Sequence, residues 1–143
     1  MSIEVRSVSK SFGSFLALDG VSLRVGEGDL VALLGPSGSG KTSLASLLPR
    51  LYDASSGQVL VGGVDVRDWD LAALRRRVAL VTQESLLFSG TVESNLRYGR
   101  EDASPGELEG ALADAQARDF VDALPGGREA PVEQRGRNFS GGQ

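Results

Sequence analysis

The sequence predicts an α/β fold, and three observations predict it. Residues 30–34 form a continuous apolar run, the pattern of a strand covered on both faces. A glycine-rich loop follows, and then leucines at helical spacing. Residues 78–82 form a second fully apolar run, so strand, loop, helix and strand succeed one another as in an α/β sheet.

Each element has its own signal. Residues 3–8 alternate, as a half-buried strand does. Residues 9–20 are polar, aromatic and glycine-containing, and read as a loop with room for a short strand. Residues 21–25 alternate again, and 26–29 form a turn. Over 42–51, Leu44, Leu47, Leu48 and Leu51 keep helical spacing, with Pro49 distorting the end. Residues 55–57 read as a turn, 59–61 as a strand, and Gly62-Gly63 as its return. Asp70 caps a helix running to Arg76.

The character changes after Gln83. A short helix opens at residues 89–92 and ends near Tyr98-Gly99. Ser104 caps Pro105 at the first helical position, with Glu107 three residues on, as in a capping box. That alanine-rich helix runs to about Ala117, and another spans 119–124. No strand signal occurs from residue 84 onward. The expected organisation is therefore residues 1–83 as β subdomain and loop-bearing core, and 84–143 as a helical subdomain.

Composition excludes several classes. With 143 residues and 41 % apolar content, the chain can bury a core. It has no cysteine and no histidine, so disulfides, thiolate chemistry, imidazole bases and Cys/His zinc sites are excluded. A hard cation held by oxygen ligands is not. No apolar run is long enough to span a membrane, and no basic-then-apolar leader begins the chain. Net charge is −4, and the one basic cluster, Arg75-Arg76-Arg77, reads as a solvated helix face rather than a nucleic-acid stripe.

The chemistry lies in Gly35-Pro36-Ser37-Gly38-Ser39-Gly40-Lys41-Thr42, followed by Ser43. The spacing is Gly-x-x-x-x-Gly-Lys-Thr, after an apolar strand and before a helix, which is the context such a motif requires. Glycines let consecutive amides turn toward an anion, and the helix start adds unpaired N–H donors. Lys41 can reach terminal phosphates as a point charge. Thr42 can offer its hydroxyl to magnesium. The ligand read from this loop is a nucleoside triphosphate, ATP with magnesium. A glycine-rich turn that merely caps a helix would not need the complete motif, and a dinucleotide-binding loop lacks the Gly-Lys-Thr ending.

With these residues in view, the chain resembles the nucleotide-binding domain of ATP-binding-cassette (ABC) transporters, and among them the exporters. Phe139-Ser140-Gly141-Gly142-Gln143 resembles the signature loop, at the family's distance from the phosphate loop. Leu18-Asp19-Gly20-Val21-Ser22-Leu23 resembles the strand ahead of that loop, and Val81-Thr82-Gln83 the entry to the glutamine loop. Residues 86–92 with Asn95-Leu96 resemble the segment exporters carry next. The resemblance implies a phosphate-loop core of ABC type, an antiparallel β subdomain, a helical subdomain, and here an incomplete central sheet. It implies that Lys41, Gln83 and Ser140 act on the phosphates, that Thr42 and Gln83 serve magnesium, and that Ser140, Gly141, Gly142 and Gln143 close on the ATP of a second copy. For the adenine, Phe12 or Phe15 could stack, and Phe12 fits the spacing better; either ring could instead pack into the small sheet.

Two departures stand out. Phe139 replaces the usual leucine of the signature loop. Glu133-Gln134 stand where exporters usually have Gly-Glu, in a loop the resemblance implies faces the membrane domain, as does Gln83. The resemblance also implies residues absent from this sequence: a magnesium-binding aspartate, a catalytic glutamate and a switch histidine. Glu84 reads as a solvated loop carboxylate and replaces none of them. A partial domain with weak nucleotide binding and no sustained hydrolysis is the resulting expectation for these 143 residues. An unpaired sheet edge that invites aggregation would follow. The other readings are a soluble ATPase of the same fold acting on DNA, translation or cluster assembly, and a phosphate-loop kinase or GTPase. The exporter-like stretch 86–96 and the scattered basic residues disfavour the former, and the signature-like ending the latter. The transported substrate is not readable, and the site of action implied is the cytoplasmic face of a membrane.

Overall fold

The computed structural model describes residues 1–82 and 86–139. It comprises two compact units, divided between Val81 and Thr82.

The first unit is built on a long antiparallel hairpin. Strands β1 (Ile3–Phe12) and β2 (Phe15–Val25) pair from Ile3↔Val25 to Phe12↔Phe15. The two residues between them, Gly13 and Ser14, form the turn, with Gly13 at φ +58°. The loop expected over 9–20 is therefore mostly strand. Its serines, Lys10 and aromatics hid the alternation, but three register shifts along the pairing let it bend. Strand β3 (Ser56–Val61) pairs with the other side of β1, and β4 (Val64–Asp65) returns beside it, giving the order β2-β1-β3-β4. Ser56 and Gly57, expected in a turn, already belong to β3.

Helices α1 (Lys41–Leu47) and α2 (Leu71–Arg77) complete the unit. Val5, Val8, Leu18, Val59 and Val61 from the sheet meet Leu44 and Leu47 of α1 and Leu74 of α2 in one buried cluster. Each such side chain contributes about 1.5–3 kcal/mol of burial. Helix α1 ends before residue 51, because Pro49 offers no amide to continue it; Leu51 is half-exposed instead of joining the core. Helix α2 starts as expected, with Asp70 Oδ1 accepting from Ala73 N at 2.8 Å. Arg75 does more than solvate its face: its guanidinium donates to the carbonyls of Pro49 and Arg50, both at 3.2 Å. The Arg77 guanidinium lies over Trp69, 5.5 Å from the ring centroid.

The two apolar runs are not strands. Leu30 and Leu34 are 101 % and 92 % exposed, and Val81 is 91 % exposed. Apolar periodicity reports what a segment can bury, whereas a strand also needs a neighbour's ladder. Among the described residues no strand of either sheet includes 30–34 or 78–81. An apolar cleft of about 310 Å³ instead separates Leu30, Val31 and Leu33 from Val5 and Leu23 of the sheet and Leu44 of α1.

The second unit holds β5 (Gly90–Thr91), α3 (Val92–Leu96), α4 (Pro105–Asp114), α5 (Arg118–Asp122) and β6 (Pro131–Val132). The antiparallel β5–β6 pairing corrects the strand-free reading of this region; two residues a side are too few to show alternation. Both early helix starts carry reciprocal caps: Thr91 with Ser94 for α3, and Ser104 with Glu107 for α4. Helix α4 stops at Asp114 rather than Ala117, and Gln116 at φ +54° turns the chain into α5. Leu108, Leu112, Val121 and Val132 form the buried interior. Around it, Glu93 pairs with Arg97 at 2.9 Å and Arg128 at 3.6 Å, and Glu109 pairs with Arg128 at 3.5 Å and Arg118 at 3.4 Å.

Candidate nucleotide site

The glycine-rich loop leads directly into α1. Gly40 is the N-cap, at φ +85° and ψ 2°, and its carbonyl accepts the first helical bond from Leu44 N at 2.8 Å. Only glycine fits there. A Cβ would stand 2.5 Å from the Ala17 carbonyl oxygen and 2.7 Å from Leu18 Cδ2. The end of the loop is thus pressed against β2. Gly38 also has positive φ, at +80°, but with open space around it. Within the loop, Ser39 N donates to Pro36 O at 3.3 Å.

Lys41 folds back over the loop. Its ammonium donates to Gly35 O at 2.6 Å, Pro36 O at 2.7 Å and Ser39 Oγ at 3.0 Å. An ammonium has three donors, so all are matched by loop oxygens. All three acceptors are neutral oxygens, which compete poorly with a charged one for an ammonium. Gly35 keeps this cradle open, since a Cβ on it would stand 2.7 Å from Ser39 Oγ. Pro36, Ser37 and the Thr42 side chain are exposed, and Ser43 is half-buried. The concavity is thus lined by glycines, hydroxyls and one cation, a donor set that suits a chain of phosphates.

The two aromatics expected as candidates for stacking on adenine sit at the tip of the hairpin. Phe12 and Phe15 are partners in register, 39 % and 61 % exposed, and neither joins the core. Phe12 meets Tyr52 edge-on, with centroids 5.1 Å apart and planes at 86°. The Lys10 ammonium lies over both rings, at 4.8 Å from the Phe12 centroid and 5.5 Å from that of Tyr52, while donating to Asp53 O at 2.8 Å. Sequence reasoning passed over Lys10 and Tyr52; no local motif joins residues so far apart in the chain. Register relates this cluster to the loop. Gly40 abuts Ala17-Leu18, and Leu18 pairs with Lys10, two residues before Phe12. At ~3.3 Å per residue and ~4.8 Å between strands, Phe12 lies roughly 8 Å from that contact.

In the second unit, Glu133 and Gln134 are exposed. Asn138, which the reading missed, organises the segment around them: its Oδ1 accepts from Glu133 N at 3.0 Å and its Nδ2 donates to Pro131 O at 2.8 Å. Phe139 packs edge-on against Phe120 with centroids 5.6 Å apart. Both rings line an apolar cavity of about 200 Å³ with Leu112 and Val132. Asn95 clamps the preceding loop, accepting from Phe88 N and donating to Phe88 O, both at 2.8 Å. Gln83, Glu84, Ser140, Gly141, Gly142 and Gln143 lie outside the described residues. Among the described residues, no group of three acidic side chains is arranged to hold a metal.

Comparison with known proteins agrees with this architecture. The sequence profile of the ABC transporter family matches residues 18–143. The chain is 48 % identical over 127 residues to an ATP-dependent lipid A-core flippase of Chromobacterium violaceum, covering 89 % of this chain and 22 % of that protein. It is 44 % identical over 126 residues to a Bacillus subtilis protein provisionally named for multidrug export, covering 88 % of the chain and 22 % of that protein. In structure it is similar to a bacterial Atm1-family ABC exporter solved with ATP bound: the TM-score is 0.91 at 37 % identity, over 99 % of this chain and 25 % of that one. The chain belongs to the ABC transporter family, and its fold is the α/β nucleotide-binding fold of that family. It spans about a quarter of the length of the relatives it matches.

Proposed function

We propose that this chain is the ATP-binding part of an ABC exporter. The observation that carries the reading is the loop at 35–42, with Gly40 wedged on β2 and Lys41 poised over the concavity. Loop amides and Lys41 hold the phosphates, and Phe12 supplies a face for the adenine. Bound magnesium would neutralise phosphate charge, and the Thr42 hydroxyl with Gln83 are its protein ligands. Ser140, Gly141, Gly142 and Gln143 reach the ATP held by a second nucleotide-binding domain, and Ser140 with Lys41 and Gln83 attends the transferring phosphoryl group. A head-to-tail pair thus holds two nucleotides, and its closure drives substrate export. Gln83 and Glu133-Gln134 face the membrane domains. The membrane passage is assigned to those domains, with this chain at their cytoplasmic face; no helix among the described residues is long and apolar enough to cross a membrane. The relatives named for lipid A-core and multidrug export differ in cargo, so none is assigned here.

The test is nucleotide binding and substrate transport by the intact protein, beside Lys41→Met. Loss of ATP binding and of transport in the variant is expected. Unchanged ATP affinity in Lys41→Met would refute the reading.

A further inference from the structure

Resting on the reading of Phe12 as the base-stacking residue, we propose that Lys10 is a positioning residue for the nucleobase, acting through the ring of Phe12. Three observations place it. The ammonium sits over Phe12 at 4.8 Å from the centroid, inside cation–π range. It is tethered there by the Asp53 carbonyl at 2.8 Å and faces the Tyr52 ring as well. Tyr52 stands edge-on to Phe12 and blocks rotation of the ring toward it. One face of Phe12 is therefore taken by a cation, while the residue stays 39 % exposed and so offers surface to a flat ligand.

The arrangement has a chemical consequence. Aromatic faces are negative, so two stacked π systems repel at their centres. A cation on the far face draws that density away from the near one, and the near face becomes a better platform for an electron-rich base. Stacking scales with the π area in contact, so a platform of this kind favours purines over pyrimidines. Lys10 strengthens that preference without touching the triphosphate.

The experiment uses the intact protein and two probes: the non-hydrolysable β,γ-imido analogue of ATP, which has a base, and inorganic tripolyphosphate, which has none. Binding is measured for wild type, Lys10→Met, Lys10→Arg and Phe12→Ala. Lys10→Met keeps an apolar stem and removes the charge. It is expected to weaken the ATP analogue about two- to fivefold, from the usual range of exposed cation–π contacts, and to leave tripolyphosphate unchanged. Lys10→Arg restores the affinity. The preference for the ATP analogue over its CTP counterpart narrows in Lys10→Met. An equal loss for both probes would mean that Lys10 acts as a distant charge on the phosphates, and would overturn the proposal. So would a Lys10→Met variant indistinguishable from wild type while Phe12→Ala weakens the ATP analogue; base stacking on Phe12 would then stand without Lys10. If Phe12→Ala itself leaves the ATP analogue unaffected, the stacking reading fails and the proposal falls with it.

Discussion

Gly40 and Gly38 share a backbone conformation but not a neighbourhood, so the pair isolates what close approach to β2 contributes. Both lie near φ +80°, where an L side chain costs about 1–2 kcal/mol. Gly38→Ala incurs that cost alone, because nothing lies within 4 Å of its Cβ. Gly40→Ala adds a methyl 2.5 Å from the Ala17 carbonyl oxygen and 2.7 Å from Leu18 Cδ2. The first contact is with the main chain of β2, so it cannot swing aside as a side-chain tip can. Overpacking of this kind costs a further ~1–3 kcal/mol. The loop can relieve it only by lifting off β2, which unseats the start of α1. Hydrogen exchange of the α1 amides in the nucleotide-free intact protein reads this opening directly. Exchange in Gly40→Ala should exceed that in Gly38→Ala by about 5- to 150-fold, from 1.4 kcal/mol per factor of ten. Equal rates in the two variants would refute the claim that the loop is anchored by contact with β2.

Other outcomes follow from the same geometry. Leu74→Ala removes a wholly buried side chain and should destabilise the first unit by about 2–5 kcal/mol, read from the fluorescence of Trp69, the chain's single tryptophan. Ser104→Ala deletes the cap of α4 and should cost about 1 kcal/mol, visible as faster exchange in its first turn. The Arg100 guanidinium, with help from Ser104, lowers the Glu107 carboxyl from 4.5 to about 2. Its folded-state value lies below its unfolded one, so its contribution is fully present above about 4.5 and is lost as pH falls through 2. Carboxyl resonances followed by NMR should show Glu107 titrating near that lower value, and Glu107→Gln should remove this part of the acid sensitivity of α4.

What could be read in the sequence was local. The Gly-x-x-x-x-Gly-Lys-Thr spacing and the caps at Asp70 and Ser104 are decided within a few residues, and the structure shows both caps as expected, on Ala73 N and Glu107. Apolar patterning at 30–34 and 78–82 read as covered strands, but neither run is in a strand and Leu30, Leu34 and Val81 are exposed. The same limit worked in reverse over 9–20, where polar side chains on an exposed hairpin concealed a real ladder. Contacts between distant segments left no signal: Tyr52 beside Phe12, Arg75 on the carbonyls after α1, and Asn138 bracing Glu133. The resemblance located Phe12 ahead of Phe15, but the sequence carried nothing to say what holds the Phe12 ring.

The β1–β2 hairpin also sets an order of assembly. Its pairings join residues close in sequence, and hairpins of this kind close in about 1–10 μs. The β1–β3 pairing must instead close a chain segment that contains the whole glycine-rich loop and α1, so it is slower to find. The Ala17-Leu18 shelf is therefore expected to form before the loop that rests on it, whereas Lys10 gains its Asp53 tether only once the chain beyond α1 has returned. On that order Gly40 would dock onto a surface already formed, and the glycine-rich loop would take its shape from β2.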